Sequence, residues 1–108
     1  EKLLYLALTA TDEILVLDVA SDGKLSNPRK FAQVTYPDGV ALDEAGNIYV
    51  AGAQGVEIFR PDASKVGTIV TGRHPANIGF AGEDGRLLII AARDSIYGVK
   101  MPIAGLIR

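Results

Sequence analysis

Cysteine is absent from the 108 residues, and so is tryptophan. Disulfides and thiolate metal sites are thereby excluded, while the redox compartment stays open because secreted and cytosolic proteins can each lack cysteine. Long apolar runs are missing as well. Leu3 to Leu8 is short, follows an acid and a base, and leads into no cleavage-type segment, so neither a membrane span nor a signal peptide is expected; the compartment stays unknown, with a soluble, cytoplasmic protein favoured. No charge of one sign accumulates. Eleven Lys and Arg are scattered among thirteen Asp and Glu for a net charge of −2, and no stretch could neutralise a row of phosphates, which argues against a nucleic-acid partner. Gly-x-Ser-x-Gly, a phosphate loop and a Cys/His cluster are also lacking. Serine-hydrolase, nucleotide and Cys/His zinc chemistry go with them.

What is present is an apolar content of 48% with 22% charged residues, the profile of a packed fold rather than a disordered chain. Twelve glycines and five prolines are spread along the whole length. They cut the chain into pieces too short for long helices and suited to strands joined by turns. Leu3–Leu8 and Glu13–Val19 read as two strands separated by a polar turn. Asp22-Gly23 signals another turn, Asn27-Pro28 interrupts any helix, and Lys30–Val34 reads as a shorter outer strand. After Pro37-Asp38-Gly39 the pattern begins again with strands at 40–42, 47–51, 56–59 and 67–70. His74-Pro75-Ala76-Asn77 opens a third series at 78–80, 86–91 and 95–99.

The recurrence is countable. Gly46-Asn47-Ile48-Tyr49-Val50-Ala51 overlays Gly85-Arg86-Leu87-Leu88-Ile89-Ile90 at an offset of 39, Val56 overlays Ile96 at 40, and Ile14 lies 42 before Val56. A period near forty with four strands per unit is the signature of propeller blades, whose sheets bury both faces against neighbours. The expected fold is all-β: a partial six-bladed β-propeller of about two and a half four-stranded antiparallel blades. It would divide into a partial blade at 1–35, a complete blade at 36–72 and a partial last blade at 73–108. Ten strands do not close a ring, and open apolar edges invite pairing. The remainder of a larger propeller, or another chain, is expected to complete it.

Several segments, in order, resemble the C-terminal portion of the family of gluconolactonase, regucalcin (senescence marker protein) and luciferin-regenerating enzyme. Gly23-Lys24-Leu25-Ser26-Asn27-Pro28-Arg29 looks like that family's outer loop, and Tyr36-Pro37-Asp38-Gly39-Val40-Ala41-Leu42 like its Pro-Asp-Gly blade start. Phe80-Ala81-Gly82-Glu83-Asp84-Gly85-Arg86 is similar to the turn of its last blade. The resemblance implies metal-dependent hydrolysis of a small-molecule lactone, with a divalent metal, calcium or else zinc, on the channel axis. It makes Asp38 a metal ligand, because hard cations collect oxygens from several parts of a chain and a ring of blades converges them. The family's other ligands, a glutamate of its first blade and an asparagine upstream of Glu1, have no counterpart here.

Arg73, His74 and Asn77 surround the next blade start and are candidate substrate contacts. Each also admits a simpler role: a surface cation, a loop residue before proline, and a turn cap. Asp38 itself could be an ordinary turn aspartate. Ala76 matches Asp38 in the third unit, so that unit offers no second carboxylate. Leu8 stands where the family often has aspartate, and Ala81 replaces a glycine. The pairs Asp43-Glu44 and Glu83-Asp84 fall in turns and are expected to be solvated. Two other functions remain open: a non-catalytic scaffold similar to NHL repeats that binds protein or sugar, and an inactive fragment assembling through its open edges.

Overall fold

A computed structural model describes residues 2–106; Glu1, Ile107 and Arg108, at the outer limits of the expected first and third segments, lie outside the described residues. The described residues form ten strands: β1 (Lys2–Leu8), β2 (Glu13–Val19), β3 (Leu25–Gln33), β4 (Val40–Leu42), β5 (Ile48–Gly52), β6 (Gly55–Phe59), β7 (Lys65–Ile69), β8 (Asn77–Ala81), β9 (Leu87–Ala92) and β10 (Ser95–Lys100). One short 3₁₀ turn, Thr9–Thr11, joins β1 to β2, and no α-helix occurs among the described residues. Every pairing between strands is antiparallel, in three meander sheets ordered β1-β2-β3, β4-β5-β6-β7 and β8-β9-β10. Residues 40–69 thus make the four-stranded sheet that the periodicity predicts. No described helix is long and apolar enough to cross a membrane.

The strands fall where sequence patterning places them, with one difference. β3 is nine residues long and runs through Asn27-Pro28, whereas the sequence suggests a shorter strand from Lys30. An outer strand has one ladder edge free, so a proline's missing N–H removes nothing there. The strand accommodates its irregularity with register shifts against β2 between Ile14 and Leu15 and between Val16 and Asp18. Asn27 adopts a left-handed backbone at φ 55. Its side-chain amide donates to Asp18 at 3.2 Å, and Arg29 pairs with the same carboxylate at 3.1 Å.

Burial follows from the stacking. The central strands β5 and β6 are buried at every position, as expected of a sheet covered on both faces. Alternate residues divide between the two faces. Ile48, Val50 and Phe59 pack with Ile14 and Val34 of the first sheet, while Tyr49, Val56 and Ile58 pack with Leu88 and Ile90 of the third. Two aromatic contacts anchor these layers edge to face, Phe31 on Phe59 at 6.2 Å and Tyr49 on Phe80 at 5.2 Å. The apolar run Ile48–Ala51 is continuous rather than alternating because both faces of the sheet are interior; in Val56–Phe59 the one interruption is Glu57, which is paired with Lys65 at 3.0 Å.

Candidate functional site

In a meander, alternate loops share one end of the sheet, so 9–12, 34–39, 53–54, 70–76 and 93–94 gather at a single end of the three sheets. Backbone bonds lock them together. Asp38 N–H donates to Ala51 C=O at 2.8 Å, Ala76 N–H to Ala91 C=O at 2.8 Å, and Gly39 N–H to Ala76 C=O at 3.1 Å. The first two bonds are equivalent, so Pro37-Asp38-Gly39 and Pro75-Ala76-Asn77 are the same structural corner in successive sheets. Pro37 and Pro75 are fully buried and fix each corner. Gly39 is required by the close approach of the corners: a Cβ there would collide with Asn77. The first sheet joins in through Thr9 Oγ1, which donates to Pro37 C=O at 2.8 Å, and through Asp12, whose carboxylate accepts from Tyr36 N–H at 3.0 Å.

Between these corners lies a hollow of about 210 Å³ lined by Asp38, His74, Pro75, Ala76 and Arg93. Asp38 is exposed at its rim. Among the described residues its carboxylate has no hydrogen-bond or ion-pair partner, which leaves both oxygens free. His74 is half-buried, leaning on Tyr36 with ring centroids 6.3 Å apart. Its Nε2 is buried and unpartnered. Arg93 sits in the two-residue connection between β9 and β10 with φ 58, and its guanidinium likewise makes no ion pair among the described residues.

Residues 1–93 match the profile of the SMP-30/Gluconolactonase/LRE-like region. The chain belongs to this family. A curated gluconolactonase of Zymomonas mobilis is 34% identical over 71 residues, 64% of this chain and 20% of that protein. A luciferin-regenerating enzyme structure superposes with a TM-score of 0.84 at 21% identity, over 97% of this chain and 43% of its own. A gluconolactonase of Xanthomonas campestris superposes with a TM-score of 0.80 at 28% identity, over 93% of this chain and 34% of its own. The chain therefore spans less than half the length of each of these SMP-30/gluconolactonase-like relatives.

Of the residues singled out in the sequence, the SMP-30/gluconolactonase-like fold brings Asp38 and His74 to one hollow. Asn77 stands next to it but turns its Oδ1 back to accept from Ile78 N–H at 2.9 Å, as a turn cap does, and it borders a separate hollow over β8 and β9. Arg73 reaches Asp94 at 3.6 Å in an exposed ion pair and does not line the Asp38 hollow. Arg93 also lines the hollow; the sequence places Ala92-Arg93 where the last unit's second strand ends and gives no sign that the arginine belongs to a site. Ala92 and Ser95 pair directly and so force Arg93-Asp94 into a tight turn.

A divalent cation of the calcium type takes six to eight oxygens. Among the described residues no group of three or more His, Cys, Asp or Glu side chains is placed to hold a metal. The free carboxylate of Asp38 is fit to be one ligand; the side chains described here do not make a complete site.

At the opposite end of β4 the structure corrects an expectation. Asp43, read as a solvated turn residue, is 1% exposed. Its carboxylate accepts from Ala45 N–H, Asn47 N–H, Asn47 Nδ2 and the Tyr49 hydroxyl at 2.9, 3.0, 3.0 and 2.7 Å. Burial first, and then the adjoining Asp43 carboxylate, push the Tyr49 hydroxyl well above the ordinary tyrosine range. Asp43 is buried, although Glu44 and Ala45 beside it are exposed, because the C-terminal segment returns across this end of β4. Asp43 bridges Gly105, Glu44 N–H donates to Ala104 C=O at 2.8 Å, and Leu106 N–H to Leu42 C=O at 2.8 Å. Gly105 is needed there because a Cβ would strike the Phe80 ring. Glu83 and Asp84, the other acidic pair, are exposed as expected.

Proposed function

We propose that this chain is part of a lactonase: a segment of a six-bladed β-propeller whose complete form hydrolyses a small-molecule lactone with the help of a divalent metal, calcium or else zinc, to which Asp38 contributes one ligand. The observation that carries this reading is the unpartnered carboxylate of Asp38 at the start of an innermost strand, in a chain whose sequence belongs to the SMP-30/gluconolactonase/LRE-like family. The three stacked sheets, each repeating the same strand order, support the propeller. The remaining ligands would come from the rest of the propeller or from another chain. His74 lines the site as a substrate contact, while Asn77 and Arg73 stand beside it.

Lactone hydrolysis adds water to the ring ester: the oxygen of water bonds to the carbonyl carbon, the ring C–O bond breaks, and the departing alkoxide takes a proton to leave a hydroxy acid. A bound cation supplies electrostatic stabilisation of the oxyanion that develops on the carbonyl. The buried prolines and the corner hydrogen bonds hold Asp38 rigidly, which is what a ligand needs if it is to present its oxygens without reorganising. The test is lactone hydrolysis by the intact protein with added calcium or zinc, compared with Asp38→Ala. Undiminished activity in the variant would remove Asp38 from the site.

A second reading is assembly through open edges. Among the described residues β1 pairs only with β2, and Leu3, Leu4 and Leu6 are 51%, 39% and 43% exposed along it, a surface that invites strand addition. Light scattering that found a stable monomer of this chain would count against it.

A further inference from the structure

We propose that the Arg93 and His74 side of the hollow is a carboxylate subsite, which holds the acid group of a ring-opened aldonate. The ligand class rests on the lactonase reading above; the subsite itself rests on three observations at one place. Arg93 lines the hollow, and its guanidinium makes no ion pair among the described residues, with Asp38 or with any other acid. The acid next to it in sequence, Asp94, is already engaged by Arg73 at 3.6 Å, so the hollow keeps an arginine whose own neighbour does not neutralise it. His74 lines the same hollow, and its Nε2 is buried without a partner. A buried polar atom without a hydrogen bond is rare in folded proteins and marks a place where something polar is meant to sit.

Arg93 is held at φ 58 in the two-residue hairpin between β9 and β10. The planar guanidinium matches a carboxylate with two parallel N–H donors, and His74, in its Nε2–H tautomer, can donate to the same group. Asp38 occupies another part of the lining, so the hollow carries one acidic and one basic side. A lactone is neutral and its hydrolysis product carries a carboxylate. This subsite would therefore favour the product's charge, and with it the negative charge that develops on the carbonyl oxygen as water adds.

The experiment is calorimetric titration of the intact, metal-saturated protein with gluconate, against glucitol, the same polyol chain without the acid. Arg93→Gln should weaken gluconate binding about tenfold or more, the loss expected for hydrogen bonds to a charged partner. Glucitol affinity should stay within about twofold. Arg93→Lys, which keeps the charge but not the fork, should fall between wild type and Arg93→Gln, and His74→Ala should weaken gluconate alone. Equal losses for gluconate and glucitol, or unchanged gluconate binding in Arg93→Gln, would overturn the subsite. Loss of gluconate binding in Asp38→Ala with none in Arg93→Gln would assign the acid to the metal and overturn it as well. The two readings fail separately: absence of lactone hydrolysis with Arg93-dependent gluconate binding defeats the lactonase reading alone, whereas Asp38-dependent hydrolysis with Arg93-independent gluconate binding defeats only the subsite.

Discussion

Two aspartates flank the three-residue strand β4, and the chain treats them in opposite ways. Asp43, just beyond Leu42, is buried and accepts four hydrogen bonds. Asp38, just before Gly39, is exposed and has no partner among the described residues. A carboxylate that folding has fully satisfied is a structural fixture, because removing it strands its donors in the interior. One that folding has positioned through its backbone but left unpaired is available to a ligand. The contrast extends across sheets. Ala76 makes the same backbone bond as Asp38, at the same 2.8 Å, yet it puts a methyl group where Asp38 puts charge. The corner is therefore a repeated structural device, and the carboxylate an addition to it.

The comparison can be broken most directly at Asp38. Asp38→Ala should lower lactone hydrolysis by the intact protein roughly a hundred- to a thousandfold, equivalent to several kcal/mol of transition-state stabilisation. Its urea midpoint should not fall, since no bond is lost. Asp43→Ala should do the reverse. We expect about 3 kcal/mol of destabilisation by urea unfolding, from four donors stranded around a buried position, with the kinetics of the folded fraction unchanged. Asp43→Asn, which keeps one acceptor oxygen, should cost less than Asp43→Ala.

Tyr49→Phe sharpens the structural half and should cost about 1–2 kcal/mol. It also carries a pH signature. The Tyr49 hydroxyl titrates higher in the folded state than in the unfolded chain, where it ionises near ~10. Its contribution is therefore complete below that pH and is lost as pH rises above it. Wild type should weaken above about pH 10 more steeply than Tyr49→Phe, as measured by denaturant unfolding across pH 8 to 11. The smallest effect belongs to Arg73. Its pair with Asp94 is exposed on both sides, so Arg73→Gln should change stability by less than about 0.5 kcal/mol.

Much of the architecture was legible because both faces of the central sheet are interior. Continuous apolar runs bounded by glycine and polar turns mark such strands directly, and their recurrence near forty residues marks the unit. The outer strand β3 was only half legible. Its Asn27-Pro28 looks like a break until the free edge that tolerates it is known. Of the residues that line the hollow, Asp38 stood out in the sequence through its Pro-Asp-Gly setting and the family resemblance, and His74 through its place before Pro75. Arg93 did not, because nothing local distinguishes a hairpin arginine that faces a hollow from one that faces solvent. Asp43 was misjudged for the matching reason: a turn aspartate is normally wet, and only the return of residues 101–106 across β4 dries it.

Taken alone, the order of residues determined the strands, their grouping into repeated units and the family, because alternation, turn chemistry and period are local properties written along the chain. Which polar groups end up satisfied was decided only by the tertiary structure. A carboxylate's donors, like a guanidinium's missing acid, come from segments dozens of residues away, brought within hydrogen-bond reach by the stacking of sheets, and hydrogen bonding acts over a few ångströms of space whatever the separation along the chain.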